Sequence, residues 1–367
     1  ILPFTLDTRW STATVKITDI KTFLMMAGAP ESVGASSWSS RNWCFVKVYT
    51  DEGVVGIGEG SGWPRVVQTA IEDLRSIVVG EDPTNIERIW QKMLVSTMGA
   101  GMTGTPGSGA INAIDMALWD IKGKVLNTPV WNLLGGKMRD RIRAYGHAGT
   151  PERALELKAQ GLTAVKIGGV HRVADKVETI RKTVGDEMDI MVDAHGTFAC
   201  AEAKRFCRLV SEYNLAWFEE PVTADDILGC AEIRASTDIP IAAGESIFTR
   251  FDFRDLALAR AVDIFQPDLA ICGGITEAMR IAALAASHQI RMAPHMWGGA
   301  VMFAAGLQIC ATSPAAFTVE YSLGHNPLMH DLVAESFPIT KGRITIPDRP
   351  GLGVTIDDDF VRAYAVD

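Results

Sequence analysis

The 367-residue chain contains no run of Lys and Arg and no basic stripe, and its acidic residues outnumber its basic ones 44 to 35, a formal charge of −9. Nucleic acid, whose phosphates call for clustered positive charge, is not an expected partner. No apolar stretch reaches the roughly 18–20 residues of a bilayer span, so no membrane partner is expected either. The opening residues, Ile-Leu-Pro-Phe-Thr-Leu-Asp, do not read as a secretory signal. Cysteines are few, at 44, 200, 207, 230, 272 and 310, with no CxxC pair and no metal spacing. In a chain this long they read as reduced core thiols, which sets the expectation of a cytoplasmic protein. The composition that remains, 47% hydrophobic and 22% charged, suffices for a large core and two domains.

Three acidic residues stand at equal intervals of 26, each closing an apolar run. Asp193 closes Asp-Ile-Met-Val-Asp, Glu219 closes Ala-Trp-Phe-Glu, and Glu245 closes Ile-Pro-Ile-Ala-Ala-Gly-Glu. That interval fits one strand–helix–strand step with short loops. Carboxylates at the same end of three adjacent parallel strands point into one space and repel unless a hard divalent cation takes them as oxygen ligands, Mg²⁺ first. Helix N-capping is the competing explanation. It suits Asp but fits two Glu residues poorly.

The texture of the chain supports this reading. Residues 1–140 read as an α+β capping domain: a strand near 15–20, a hairpin 44–50 and 54–59, then helices near 65–80, 84–98 and 110–125. Small-residue segments at 27–42, carrying Trp38 and Arg41, and at 99–109 read as flexible loops. From 141 to 335 strands and helices alternate, with eight strand candidates (142–148, 163–168, 189–194, 216–221, 239–245, 262–268, 290–295, 317–321) and helices only between them. This is the pattern of a parallel TIM-like barrel, α/β in class, with its active site at the C-terminal strand ends. Residues 336–367 carry short strand signals and are expected to return to the first domain. Further polar residues sit at strand ends: His147, Lys166, His195, Asp268, His295 and Glu320. A His and an Asp on neighbouring strands can pair, the Asp fixing the tautomer and raising the basicity of a general base. His195 follows Asp193 by two, so in extended chain both face the same way. For any one of these, a buried and satisfied polar residue is the plainer explanation. Together on one barrel face they argue for chemistry.

Several segments resemble landmarks of the enolase superfamily, in particular its mandelate racemase-like acid-sugar dehydratases. They are Ala-Ile-Asp-Met-Ala-Leu-Trp-Asp-Ile-Lys-Gly-Lys (113–124), Leu-Leu-Gly-Gly (133–136), Val-Asp-Ala-His (192–195), Trp-Phe-Glu-Glu-Pro (217–221), Gly-Glu-Ser (244–246), Gln-Pro-Asp (266–268) and Ala-Pro-His-Met-Trp-Gly (293–298). The resemblance spans nearly the whole chain. It implies an α+β cap over a modified (β/α)7β barrel, and one Mg²⁺ per subunit on Asp193, Glu219 and Glu245. It also implies a carboxylate substrate deprotonated to an enediolate. His295 with Asp268 resembles the family's general base, and Lys166 its cation at the substrate carboxylate. Glu320, if protonated, would donate a hydrogen bond to that carboxylate. Trp38, Arg41, His147 and Trp297 become candidates for substrate contact, and segments 27–42 and 99–109 a lid. A homo-oligomer, as large as an octamer, is the implied assembly. Many members carry Lys-x-Lys after the second strand. Here Gly168 takes the second Lys position, which leaves racemisation without its second base. His195 stands where a galactonate-type dehydratase has the acid that protonates the departing 3-hydroxyl. The expected reaction is dehydration of an aldonic acid to a 2-keto-3-deoxy acid. An epimerase or lactone cycloisomerase using the same enediolate is the alternative.

Overall fold

A computed structural model describes residues 15–27, 41–99, 104–324 and 326–366. The N-terminal part opens with three antiparallel strands, β1 (Ile17–Ala27), β2 (Arg41–Thr50) and β3 (Val55–Gly60). The β2–β3 turn closes on Gly53, whose φ of 75° suits glycine. Helices Pro64–Val78 and Thr105–Val125 pack on this sheet, and Ile86–Gly99 packs on those two helices. Strand β3 presents glycine at every second position to the last of these helices. A Cβ on Gly56, Gly58 or Gly60 would lie 2.1, 1.8 or 2.4 Å from the carbonyl oxygen of Ala117, Ala113 or Gly109. The helix therefore rests directly on strand backbone.

Both loop assignments need correction at their edges. Arg41 is not in a loop but opens β2, its Cα paired with that of Ala27, which itself ends β1. Residues 105–109 are helical, because Pro at the first turn starts a helix readily and Gly109 fits closely under Ser61. Trp38 lies outside the described residues.

The barrel follows as β4 (Arg141–His147), β5 (Ala164–Gly168), β6 (Asp189–Asp193), β7 (Trp217–Glu219), β8 (Ile241–Ala243), β9 (Ile264–Phe265), β10 (Arg291–Met292) and β11 (Thr318–Glu320). Neighbours pair in parallel in that order, and β11 pairs in parallel with β4. A bridge between Met292 and Ala316 closes the ring. Seven helices lie between the eight strands: Pro151–Ala159, Val173–Val184, Cys200–Val210, Ile227–Ala235, Thr249–Leu258, Gly274–Ser287 and Ala300–Thr312. The ladders are shorter than the apolar runs, since pairing stops where side chains turn into the site. Tyr145, Met191, Trp217, Ala242, Ile264 and Ala293 pack together as a core cluster of their own. Phe218, Phe253 and Phe265 pack in the larger core with the helices, Phe253 and Phe265 edge to face at 4.9 Å. Each such ring contributes about 1.5–3 kcal/mol by leaving water.

The C-terminal segment touches both units. Strands β12 (Ile339–Thr340) and β13 (Arg343–Thr345) form a hairpin whose second arm pairs antiparallel with the start of β4. Strand β14 (Ala365–Val366) pairs with β1 at Leu24 and Met25. All six cysteines are free. Among the described residues no helix is long and apolar enough to cross a membrane.

Candidate active site

The barrel strands deliver their polar residues to one end. In register, His147 lies beside Lys166, Gly168 beside Asp193, and Asp193 beside Glu219. Glu245, Asp268 and His295 stand just past the ends of β8, β9 and β10. A cavity of about 330 Å³ opens there, lined by His147, Lys166, Gly168, Asp193, His195, Glu245, His295, Trp297 and Glu320, with Ala148 and Gly149. Glu219 and Asp268 are buried behind this wall. A wider groove of about 760 Å³ between the first two cap helices contains none of these residues.

Lys166 organises the acids. Its Nζ lies 2.6 Å from Glu219 Oε1, 2.7 Å from Glu320 Oε1 and 3.1 Å from Asp193 Oδ2. Burial alone would lower the Lys166 ammonium, but Glu219, Glu320 and Asp193 outweigh it and lift the group well above its ordinary value. It is therefore a permanent buried cation. Trp217 Nε1 donates to Glu219 Oε2 at 2.9 Å. Burial raises the Glu219 carboxyl to about 7, against the opposing pull of Lys166.

Glu320 is an acceptor in this arrangement, not the protonated donor expected from the sequence. His147 Nε2 lies 2.7 Å from its Oε1, and Met296 N–H donates to its Oε2 at 3.0 Å. Burial favours the neutral acid, but Lys166, His295 and His147 together hold Glu320 well below the usual carboxylate range. His147 also meets the edge of Trp297, ring centres 5.5 Å apart, so the two form one wall.

His295 and Asp268 form the expected pair, Nδ1 to Oδ2 at 2.7 Å. The other Asp268 oxygen accepts from Ala270 N–H at 2.7 Å, which fixes the carboxylate. His295 Nε2 is left facing Glu245 Oε2 at 3.6 Å and Glu320 Oε2 at 3.7 Å. Burial lowers the imidazole, but Glu245, Glu320 and Asp268 override it and raise it well above its ordinary value. The same proximity takes the Glu245 carboxyl, which burial would raise, down to about 2.

His195 reaches the site differently from the extended geometry anticipated. Its φ is 47°, the left-handed region, because the chain turns there toward helix Cys200–Val210. Its N–H donates to Asp193 Oδ1 at 3.0 Å, and its ring Nδ1 lies 3.1 Å from that oxygen and 3.8 Å from Glu245 Oε1. A Cβ on Gly168 would lie 3.9 Å from the His195 Nε2. The imidazole thus stands beside the position where a second lysine would project.

The donors suit a divalent cation. Glu245 Oε2 is a buried oxygen without a hydrogen-bond donor. Ligand atoms of Asp193, His195 and Glu245 all lie within 4.8 Å of one another. Glu219, the third acid of the spacing argument, is not in that cluster, since Lys166 and Trp217 take its two oxygens. Trp217 and Glu220 were not singled out from the sequence. Trp217 stands two before Glu219 on an alternating strand, so it shares its face. Glu220, with φ 42°, accepts from Gly244 N–H at 2.8 Å and ties the β7 end to the Glu245 loop.

Residues 15–135 match the mandelate racemase / muconate lactonizing enzyme N-terminal domain, and residues 150–360 match the enolase C-terminal domain-like family. The chain belongs to this mandelate racemase-like branch of the enolase superfamily. It is 38% identical to a D-galactonate dehydratase of Xanthomonas oryzae pv. oryzae, over 87% of this chain and 90% of that one. It is 33% identical to a D-galactarolactone cycloisomerase of Agrobacterium fabrum, over 95% and 99%. The crystal structure of the 3,6-anhydro-D-galactonate cycloisomerase from Zobellia galactanivorans superposes with a TM-score of 0.90 at 32% identity, over 96% of this chain and 100% of that one.

Proposed function

We propose that the protein is a Mg²⁺-dependent hydro-lyase of an aldonic acid, removing the C2 proton and the 3-hydroxyl to give a 2-keto-3-deoxy acid. The observation that carries this reading is the pair of imidazoles flanking Glu245, His295 at 3.6 Å and His195 at 3.8 Å. One is fixed by Asp268 and suits a base. The other lies between Asp193 and Glu245 and stands beside Gly168, where it suits an acid.

Asp193, Glu219 and Glu245 would hold the Mg²⁺, a cation that prefers oxygen to imidazole. Bound there, it supplies Lewis-acid stabilisation of the charge developing on the substrate carboxylate and neutralises Glu245, the charge that most lifts His295. Lys166 adds fixed positive charge beside the substrate carboxylate. Glu320 and His147 hold Lys166 and the loop of Trp297 in place. His295 Nε2 takes the C2 proton while Asp268 keeps Nδ1 protonated. His195 gives a proton to the 3-hydroxyl, which departs as water, and the enol tautomerises to the ketone. The free thiols accord with a cytoplasmic setting.

The test is a panel of aldonic and aldaric acids, D-galactonate first, incubated with Mg²⁺ in D₂O and assayed for 2-keto-3-deoxy product and C2 deuterium. Keto acid from at least one aldonate is the expected result. A lactone cycloisomerase is the second reading, favoured by the Agrobacterium and Zobellia relatives. Isomeric product with solvent deuterium and no loss of water would select it and end the dehydratase reading.

A further inference from the structure

We infer that Glu59, contributed by the capping domain, is the positioning residue of the His295–Asp268 pair. Glu59 is fully buried near the end of β3. Its Oε1 accepts from Gly299 N–H at 2.5 Å and its Oε2 from Met302 N–H at 2.9 Å. These are N–H groups at the start of helix Ala300–Thr312, which has no side-chain cap of its own. The helix is capped from a strand 240 residues earlier. A local Ser, Thr or Asp would cap it at far lower desolvation cost than a carboxylate taken completely out of water. The segment Met296–Gly299 joins this capped helix start directly to His295.

The residue that follows β3 holds the other member of the pair. Ser61 N–H donates to Ala270 O at 3.2 Å, and Ala270 N–H donates to Asp268 Oδ1. Residues 59 and 61 thus anchor the His295 loop and the Asp268 loop to one strand end. A Cβ on Gly298 would lie 2.6 Å from Met302 Cε and 2.8 Å from Glu59 Oε1, and one on Gly299 would lie 3.0 Å from both Glu59 Oε2 and Leu328 O. Two consecutive glycines on the barrel make room for one acid from the cap.

This role rests on His295 being the base that removes the C2 proton. The experiment uses the full-length, Mg²⁺-loaded protein with Glu59→Gln, which keeps the size but places an NH₂ against the helix N–H groups. Gly298→Ala, which crowds both Met302 and the Glu59 carboxylate from the barrel side, serves as the second variant, and Glu59→Asp as the conservative rescue. Three quantities are read: kcat and KM for C2 exchange in D₂O, the folded fraction by thermal melting, and the pH dependence of diethyl pyrocarbonate modification of His295 by peptide mass mapping. Both Glu59→Gln and Gly298→Ala should lower kcat about 10- to 100-fold with KM within about twofold, the worth of a slightly misplaced base. The midpoint of His295 modification should move with it, and Glu59→Asp should recover part of both. Wild-type kcat in both variants would overturn the inference. So would a loss that matches lost folded protein while His295 modification keeps its midpoint. If the wild type exchanged no C2 proton of any aldonate or aldarate, the functional reading would fall. The His295 modification would then decide the positioning role by itself, an unchanged midpoint overturning it.

Discussion

Two groups of buried carboxylates lie in this molecule and differ in what satisfies them. On helix Thr105–Val125, Asp115 accepts from the hydroxyl and N–H of Thr276 at 2.5 and 3.0 Å. Asp120 accepts from Ile57 N–H, Leu352 N–H and Lys124 Nζ at 3.1, 2.9 and 2.6 Å. Each has fixed donors and stitches the cap helix to the barrel, to β3 or to the C-terminal segment. At the strand ends, Asp193, Glu219 and Glu320 share one lysine, and Glu245 keeps a buried oxygen without a donor. Burial alone is common to both groups. The difference lies in saturation: a satisfied acid is mortar, and a crowded, under-satisfied set of acids facing a cavity is a site for a cation and a reacting anion.

The contrast is broken most directly by removing the metal. Excess EDTA should abolish turnover, and Glu245→Gln should abolish Mg²⁺ binding in calorimetry, while Asp115→Asn binds Mg²⁺ like the wild type. Full turnover in EDTA would sink the metal reading. Next comes the choice between the two possible ligand sets. Glu219→Gln should lose Mg²⁺ affinity, whereas His195→Asn should keep it. His195→Asn should instead lose dehydration by about 10²–10⁴-fold, the worth of a positioned general acid, with C2 exchange partly retained. If calorimetry showed the reverse, His195 would be a ligand and the acid would have to be sought elsewhere. His295→Asn should lose C2 exchange to a similar extent, about 10²–10⁴-fold, while still binding Mg²⁺.

Smaller effects are expected on the other side of the comparison. Asp115→Ala leaves the N–H and the hydroxyl hydrogen of Thr276 without an acceptor, so chemical denaturation should show a loss of about 1–3 kcal/mol, with kcat per folded molecule unchanged. The smallest effect is on pH dependence. Burial raises the Asp115 carboxyl from about 3.8 to about 7, although Thr276 pulls the other way. Between those values the folded state holds a proton that the unfolded state has released, so Asp115 makes stability fall as pH rises through that window. Asp115→Asn cannot titrate, and its melting temperature should decline less from pH 4 to pH 7 than that of the wild type.

Much of this was legible in the sequence. The three acids at intervals of 26, the alternation of strands and helices, and the order of the barrel all follow from apolar periodicity and strand-end polarity, which are properties of position along the chain. Side-chain partnership is not such a property. Nothing in Ala-Ile-Asp-Met-Ala-Leu-Trp-Asp distinguishes its acids from those of Val-Asp-Ala-His, yet the former bond backbone and the latter face a cavity. His195 was expected in extended chain and is left-handed, because the loop after β6 turns at that residue. Glu320 was expected to donate a hydrogen bond if protonated and instead accepts one from Met296 N–H, with Lys166 and His147 drawn up to it from two other strands. Glu59 offered no signal, since its partners lie 240 residues away.

The glycine face of β3 has a consequence for how the chain can vary. Gly56, Gly58 and Gly60 are defined by what cannot stand there, because every other side chain begins with the Cβ that the helix backbone excludes. No change of charge, polarity or size elsewhere on the residue relieves that exclusion. A saturation library across 55–60 should therefore leave Gly56, Gly58 and Gly60 nearly invariant, with Val55, the half-buried position, the most tolerant. Substitution at the strict positions should register as lost protein yield, and substitution at Glu59, inside the same six residues, as lost catalysis.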